Sequence, residues 1–524
     1  MTPADAHPPA EALAPAPVRS ARRSLIGAAV LASVLGLFLG LLAHTVVDPD
    51  LFGHLRYGLD TLRHGTPDVP DPYSFLTAGR RWLDDEWLSE VVLTLAWRAG
   101  GEPALLVLKA GLATGIILLA VRPLLRLAGG LRVALVVAPP LVLLFLRMLP
   151  LRAQLFSELL FLALLLVLAR AEEGDRRGLV LLPGIFLLWA NLHAAWILGL
   201  ALLGGWLVVH AWSRRTFPAA AALAVAAAAA ATLVNPWGAA VHLFLLRTAT
   251  VPRPDIVEWV PLALSSFTGA AYLVTLAFAA AAFLADRERK HAGLWAVLAV
   301  TAILPLTAAR HTDIFALAAL VVAAPHALRA LDRFRPDRAR RVGLAALSPL
   351  LLVAAATTFA AAPFPMRCLA GVPGDPYPMR AALTLRALGS PADVVVPFDW
   401  GEYVTFVAGP AIRVSYDGRR DTIYSDSVMA MGWDFDRGVA GWDRVLGRGG
   451  QLVLTKAGTR TDSLMARRAG WAPVYADRVA RVFAPAGSAL GPRIVRAAAV
   501  AHRSDDDAGS CLVERSAPAD LARE

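Results

Sequence analysis

The stretch Val47–Glu90, VDPDLFGHLRYGLDTLRHGTPDVPDPYSFLTAGRRWLDDEWLSE, is polar and rich in acids, and it lies between long apolar runs. An extended backbone through Asp48-Pro49-Asp50 would turn both carboxylates to the same side. Leu55, Leu59 and Leu62 follow at i, i+4 and i+7, and Gly65 with Pro67 closes the period. This spacing predicts a short amphipathic helix lying against a membrane surface. A second acidic cluster, Asp84, Asp85 and Glu86, precedes another apolar-periodic stretch, Trp87–Trp97. Carboxylates at the mouth of a membrane domain lose hydration, so they are either open to water or kept for function.

The surrounding chain fits a membrane setting. It has 524 residues, 57% of them hydrophobic, and a mean hydropathy of +0.55. Burying a soluble core would not need repeated apolar runs of about 20 residues, so the composition predicts a polytopic α-helical membrane protein. The net charge of +10 does not mark a nucleic-acid partner, because the basic residues cluster at the ends of the apolar runs. Abundant Ala and Arg point to a GC-rich bacterial genome, hence to a bacterial inner membrane. The two cysteines, Cys368 and Cys511, exclude a zinc ribbon or a disulfide framework and leave room for one disulfide.

Residues 1–18 are rich in Pro and Ala and are expected to be disordered. Arg19, Arg22 and Arg23 then hold an uncleaved first span, 24–47, with its N-terminus in the cytoplasm. Further spans near 103–121, 133–147, 153–169, 179–193, 195–212, 217–234, 262–285, 292–309, 312–331 and 342–362 bring the expected total to about eleven. The alternation of charge works only if Trp87–Arg98 lies in the interface and does not cross. The groups Arg122/Arg126/Arg132, Arg170/Arg176/Arg177, Arg214/Arg215, Arg287/Arg289/Lys290 and Arg329–Arg341 then all fall inside. The opposite ends carry Arg147, Arg152, Glu158, Asn191, His193, Arg253, Glu258, Trp259, Arg310, His311 and Asp313, on the side of loop 48–90. A transporter would gather such groups near the midplane, whereas here the chemistry belongs to one surface.

From about 363 the composition changes. Strands are expected at Val394–Pro397, Ile412–Ser415 and Gln451–Thr455, a helix at Thr461–Ala469, and a hairpin around Ala476-Asp477-Arg478. These make 363–486 a small α/β domain, extracytoplasmic by the odd span count, with 487–524 as a flexible tail.

The segment Asp50-Leu-Phe-Gly-His54-Leu-Arg56 resembles the D-x-(F/W)-x-(N/H)-x-R opening of the first external loop in oligosaccharyltransferase catalytic subunits. Phe398-Asp399-Trp400-Gly401-Glu402-Tyr403 resembles their W-W-D-Y-G region, with a second Trp missing and Glu402 inserted. An acidic loop after the first span is typical of the wider GT-C superfamily of glycosyltransferases that use polyprenyl-phosphate-linked sugars. The resemblance implies sugar transfer from such a donor to a glycan, lipid or protein acceptor on the outer face, among membrane lipids. It implies that Asp50, with Asp48 beside it, is the catalytic carboxylate or binds a cation, with His54 and Arg56 completing the motif.

A hard cation, Mg²⁺ or Mn²⁺, would take oxygen ligands from Asp50, Asp84, Asp85 and Glu86. The plainer reading of the three later acids is a helix N-terminus favourable to the dipole. Arg147 and Arg152, outward-facing cations, are candidates for the donor phosphate, with His193 nearby; lipid headgroups, Glu158 or helix-to-helix bonding would serve equally. Glu258, Arg310 and His311 are candidates by side alone. Asp399 reads most simply as a residue of a strand-to-helix turn. Two other classes stay open: a transporter or flippase of lipid-linked saccharides, and a non-catalytic membrane protein of the same architecture.

Overall fold

The computed structural model describes residues 45–127, 130–148, 150–248, 251, 253–286, 291–333, 368–369, 371, 376–501 and 511–518. The expected disordered start (1–18), the first span up to residue 44 and the last span (342–362) lie outside these residues.

The membrane part is helical. Among the described residues, five helices are long and apolar enough to cross a bilayer: α2 (Trp87–Leu127), α4 (Gln154–Glu172), α6 (Trp196–Arg214), α9 (Phe267–Ala285) and α11 (Ala309–Leu331). This is fewer than the nine spans of the expected eleven that fall on those residues. Crossing about 30 Å of hydrocarbon at 1.5 Å per residue needs about 20 helical residues. Several apolar runs fold into less than that: α5 (Leu182–Leu192), α7 (Ala219–Ala231), α8 (Ala239–Thr248) and α10 (Ala292–Ile303). α3 (Gly130–Arg147) carries Pro139 and Pro140 inside it, which donate no backbone N–H.

α2 is two helices in series. Gly100 (φ −171°) and Gly101 (φ 64°, ψ −150°) break it, and only glycine takes that second conformation without strain. The half before the break packs against α1 (Asp50–His64), and the half after it runs on as the span. α1 itself differs from expectation at its start. Pro49 is already helical (φ −55°, ψ −36°), so Asp48-Pro49-Asp50 turns into the helix instead of running extended.

Beyond the bundle lies a five-stranded sheet of order β2-β1-β3-β5-β4. Its strands are β1 (Ala392–Val395), β2 (Ile412–Val414), β3 (Leu452–Lys456), β4 (Trp471–Ala476) and β5 (Ala480–Pro485). β1 pairs in parallel with β2 and β3, while β5 runs antiparallel to β3 and β4. Val394 and Val395 point to opposite faces and both are fully buried, as expected of a parallel strand covered on each side. One side packs α12 (Met379–Ala387), α13 (Phe398–Ala408) and α16 (Leu490–Ala501); the other packs α14 (Asp426–Arg437) and α15 (Arg460–Ala466). The region expected as a flexible tail is thus partly built in. α16 buries Gly491, Ile494 and Ala497, and Cys511, just before α17 (Leu512–Ser516), forms a disulfide with Cys368.

Contacts from three directions fasten the sheet domain to the bundle. Phe52 of α1 meets Tyr403 and Phe406 of α13 edge-on or tilted, with ring centroids 4.8 and 5.5 Å apart. Each such ring pair adds roughly 0.5–1.5 kcal/mol beyond area burial. Loop 65–86 lies along the outer edge of β2, where Val414 N–H donates to Tyr73 O (2.9 Å) and Phe75 N–H to Val414 O (3.1 Å). Arg419 fixes that loop from the domain side, donating to Asp71 at 2.7 Å and to Asp417 at 2.8 Å among the rings of Tyr57, Tyr73, Trp82 and Tyr424. At the third point, Glu102, just past the α2 break, accepts the backbone N–H groups of Leu369 and Val513 beside the disulfide.

Candidate functional site

A cavity of about 1220 Å³ opens where the bundle meets the sheet domain. Its polar wall comes from the start of α1, the segment 84–90, the ends of α3, α4 and α5, the loop 253–261 and the start of α11. Its lining also includes apolar side chains of the bundle, Ile197, Leu198, Phe244 and Leu262 among them. Of the residues singled out in the sequence, Asp48, Asp50, His54, Asp84, Asp85, Glu86, Arg147, Arg152, His193, Glu258, Arg310, His311 and Asp399 all line it.

Arg56 does not. It is 2% exposed and turned the other way, bonded to both oxygens of Asp60 at 2.8 and 3.0 Å and to Gly409 O at 3.4 Å. Its role is to hold α1 against the sheet domain. The reason is helical geometry: Arg56 lies two residues from His54, which places it on another face of α1.

Asp48 and Asp50 divide the work at the start of α1. Asp48 is 5% exposed, accepts the Asp50 N–H at 3.1 Å and forms an ion pair with Arg152. Asp50 faces the open volume of the cavity. Burial, then the Asp48 charge, lift its carboxyl to about 6, against the opposing pull of Arg152 and His54.

His54 lies one turn on from Asp50. Its Nδ1 is 3.0 Å from Glu90 and its Nε2 3.7 Å from Glu86. Glu86 in turn lies 3.3 Å from His193 Nε2, and His193 Nδ1 bonds Ser157 Oγ at 2.7 Å. Trp189 Nε1 donates to the same hydroxyl, so a continuous polar line runs from α1 to the end of α5. Burial also raises Asp84, Asp85 and Glu86 above the usual carboxylate range.

The arginines are not arranged as expected. Arg152 is bonded to Asp48 and Glu258, and Arg147 donates to Glu258 at 3.1 Å. Burial would raise Glu258, but Arg152, Arg310 and Arg147 hold it down at about 2. Both arginines expected to take a phosphate are therefore already partly neutralised, although Arg147 Nε is buried with no hydrogen-bond partner. Arg310 is different. Its guanidinium lies 4.4 Å from the centroid of Trp259, whose ring Arg253 approaches to 3.9 Å. Among the described residues no hydrogen-bond partner of Arg310 is seen.

The cation site expected from Asp50, Asp84, Asp85 and Glu86 does not come together. Asp84 turns towards Glu90, and Glu86 towards the two histidines. Among the described residues, three potential ligand atoms meet within 4.8 Å only at Glu102, Cys368 and Cys511, where the sulfurs are joined to each other. Those four carboxylates do not fit a shared Mg²⁺ or Mn²⁺.

Glu402 is the residue that sequence reasoning passed over. It sits inside the quoted Phe398–Tyr403 segment, and its carboxyl group fits between Gly53 and Gly418, where a side chain on either glycine would collide with it. Gly418 also brings Asp50 to the same spot: a Cβ there would be 3.2 Å from Asp50 Oδ1. Burial, then the Asp50 and Asp417 charges, push Glu402 well up, and its Oε2 is buried without a partner. The signal available was its place in the motif; what hid it was the missing distance between α1 and α13.

No family model and no curated protein matches the chain.

Proposed function

We propose that the protein transfers a sugar from a polyprenyl-phosphate-linked donor to an acceptor hydroxyl, on the outer face of a bacterial inner membrane. The observation that carries this reading is the shared cavity: a carboxylate facing open space, guanidinium groups and apolar side chains of the bundle all line one volume. The resemblance of Asp50–Arg56 and Phe398–Tyr403 to oligosaccharyltransferase motifs supports it, since the two segments pack on each other through Phe52 and Tyr403.

In this mechanism Asp50 takes the proton of the acceptor hydroxyl as its oxygen attacks the anomeric carbon. The bond from that carbon to the phosphate oxygen breaks with inversion, and the electron pair leaves with the phosphate. Arg310 receives the growing negative charge, with the positive field of Arg147 behind it, while the apolar side chains of the cavity accept the polyprenyl chain. Arg152 acts one step back, by holding Asp48 and Glu258. No step runs through a cation.

The test is transfer of radiolabelled sugar in membranes containing wild-type protein or Asp50→Asn at equal amounts. Transfer by wild type that is lost in Asp50→Asn supports the reading; equal transfer by both removes Asp50 from it. A transport reading draws on one observation, Lys109, 1% exposed inside α2. Lys109 does not line the cavity, and movement of donor across vesicles without sugar transfer would favour that reading instead.

A further inference from the structure

The sheet domain has a crevice of its own. In an open α/β sheet, a gap forms beyond the carboxyl ends of the strands wherever successive crossovers leave a strand in opposite directions. Here the chain leaves β1 through α13 to reach β2 on one side, then returns through α14 to β3 on the other. The gap therefore falls beyond the ends of β1 and β3, at Pro397–Asp399 and Thr455–Lys456.

A cleft of about 260 Å³ lies at that place. Its walls hold an aromatic face, Trp433, whose ring stands 4.8 Å from Phe398. They also hold a carboxylate and an ammonium group, Asp399 and Lys456, paired at 3.0 Å, and the hydroxyl side chains of Thr455, Thr459 and Thr461. The pair is partly exposed, 54% at Asp399 and 27% at Lys456, so an incoming ligand can separate it at little cost. Asp436 anchors the floor, accepting from Tyr416 Oη at 2.8 Å and Phe398 N at 3.2 Å. Asp255, Asp399 and Trp433 border both this cleft and the large cavity, so the two spaces adjoin.

We propose that this crevice binds a neutral saccharide unit of the acceptor, next to the unit whose hydroxyl reacts in the large cavity. A sugar ring offers a C–H face to an indole and hydroxyl groups that both donate and accept. Trp433, Asp399 and Lys456 supply the matching groups; the hydroxyls of Thr455, Thr459 and Thr461 are taken up by Asp462, Lys456 O and Phe435 O. The proposal rests on the glycosyl-transfer reading for the word acceptor, but the binding is measurable without any transfer.

The experiment uses the full-length protein in lipid nanodiscs and saturation-transfer NMR with maltotriose, cellotriose and α-mannotriose as probes. At least one probe is expected to receive saturation from the wild type. Lys456→Ala and Trp433→Leu are each expected to weaken that binding by about tenfold. Asp399→Asn, which keeps the shape of the side chain, covers the case in which Trp433→Leu does not fold. No saturation with any probe overturns the proposal, and so does a signal that these variants leave unchanged. Crevice binding that persists when membranes show no sugar transfer would sink the transfer reading alone. Transfer that proceeds while the crevice takes none of the probes would sink the crevice alone.

Discussion

The carboxyl carbon of Glu402 lies 2.5 Å from the point where a Cβ on Gly53 would stand. That approach is closer than real side-chain carbons tolerate, so Gly53 is what lets α1 and α13 dock. Gly53→Ala is expected to destabilise the folded protein by about 1–3 kcal/mol, the usual range for overpacking. Thermal unfolding in detergent measures it. The double variant Gly53→Ala/Glu402→Ala should recover part of the loss, because the added methyl then has room. An equal loss in both variants would place the cause elsewhere.

A pH dependence follows from Asp50. With its carboxyl raised to about 6, the proton-accepting form grows as pH rises through that value, so transfer should climb with a midpoint near 6. Asp48→Asn removes a charge that raises Asp50 and frees Arg152, which lowers it, so the midpoint should move to lower pH. The stability consequence has its own sign. A raised folded-state carboxyl stabilises the fold below the ordinary value of 3.8, and that contribution is lost as pH rises through about 6. Rate profiles of the two proteins decide the matter, and a midpoint that does not move rejects the coupling.

Arg310 lines the cavity with no hydrogen-bond partner among the described residues. Arg310→Lys keeps the charge but loses the planar fork and the stacking on Trp259. The expected outcome is a kcat/KM for the donor lowered by about tenfold, with kcat itself reduced, because the contact strengthens as the charge grows. Steady-state kinetics against donor concentration test it. Unchanged kinetics in Arg310→Lys together with a lowered kcat/KM in Arg147→Lys would return the phosphate to Arg147.

Cys368 and Cys511 close a loop of 143 residues around the sheet domain. Cys511→Ser is expected to cost about 2–4 kcal/mol of stability. A mobility difference between reduced and unreduced protein on a gel should disappear in that variant. Such a bond persists on an oxidising side of a membrane, so the same gel tests the proposed orientation of the domain.

Much of the site was legible because charge, not shape, sorts the ends of membrane helices. Asp50, His193, Glu258 and Arg310 are far apart in sequence, yet each stands at the same end of an apolar run, and they line one cavity. Pairing was not legible. Nothing in the spacing says that Glu258 meets Arg152, or that Glu86 turns to His54 and His193 and away from Asp50. Arg56 was misread because a motif fixes residue order and not the helix face. Among the described residues fewer runs are long enough to span than expected, because apolar length was taken as helix length. The runs at 179–193 and 217–234 supply only the 11 and 13 helical residues of α5 and α7. The strands were found where branched residues cluster, at Val394, Ile412 and Val453, since buried strands favour such side chains.

The outer edge of β2 is covered by loop 65–86, whose Ser74 Oγ donates to Ser415 O across 341 residues of chain. A fragment made from residue 363 onward would therefore carry a bare strand, with its N–H and C=O groups ready to pair with any other strand. The loop lies about 340 residues N-terminal to the strand that it covers, so it is synthesised first. Cut from its bundle, the sheet domain should dimerise or aggregate through β2, and a synthetic peptide of residues 70–82 should keep it monomeric.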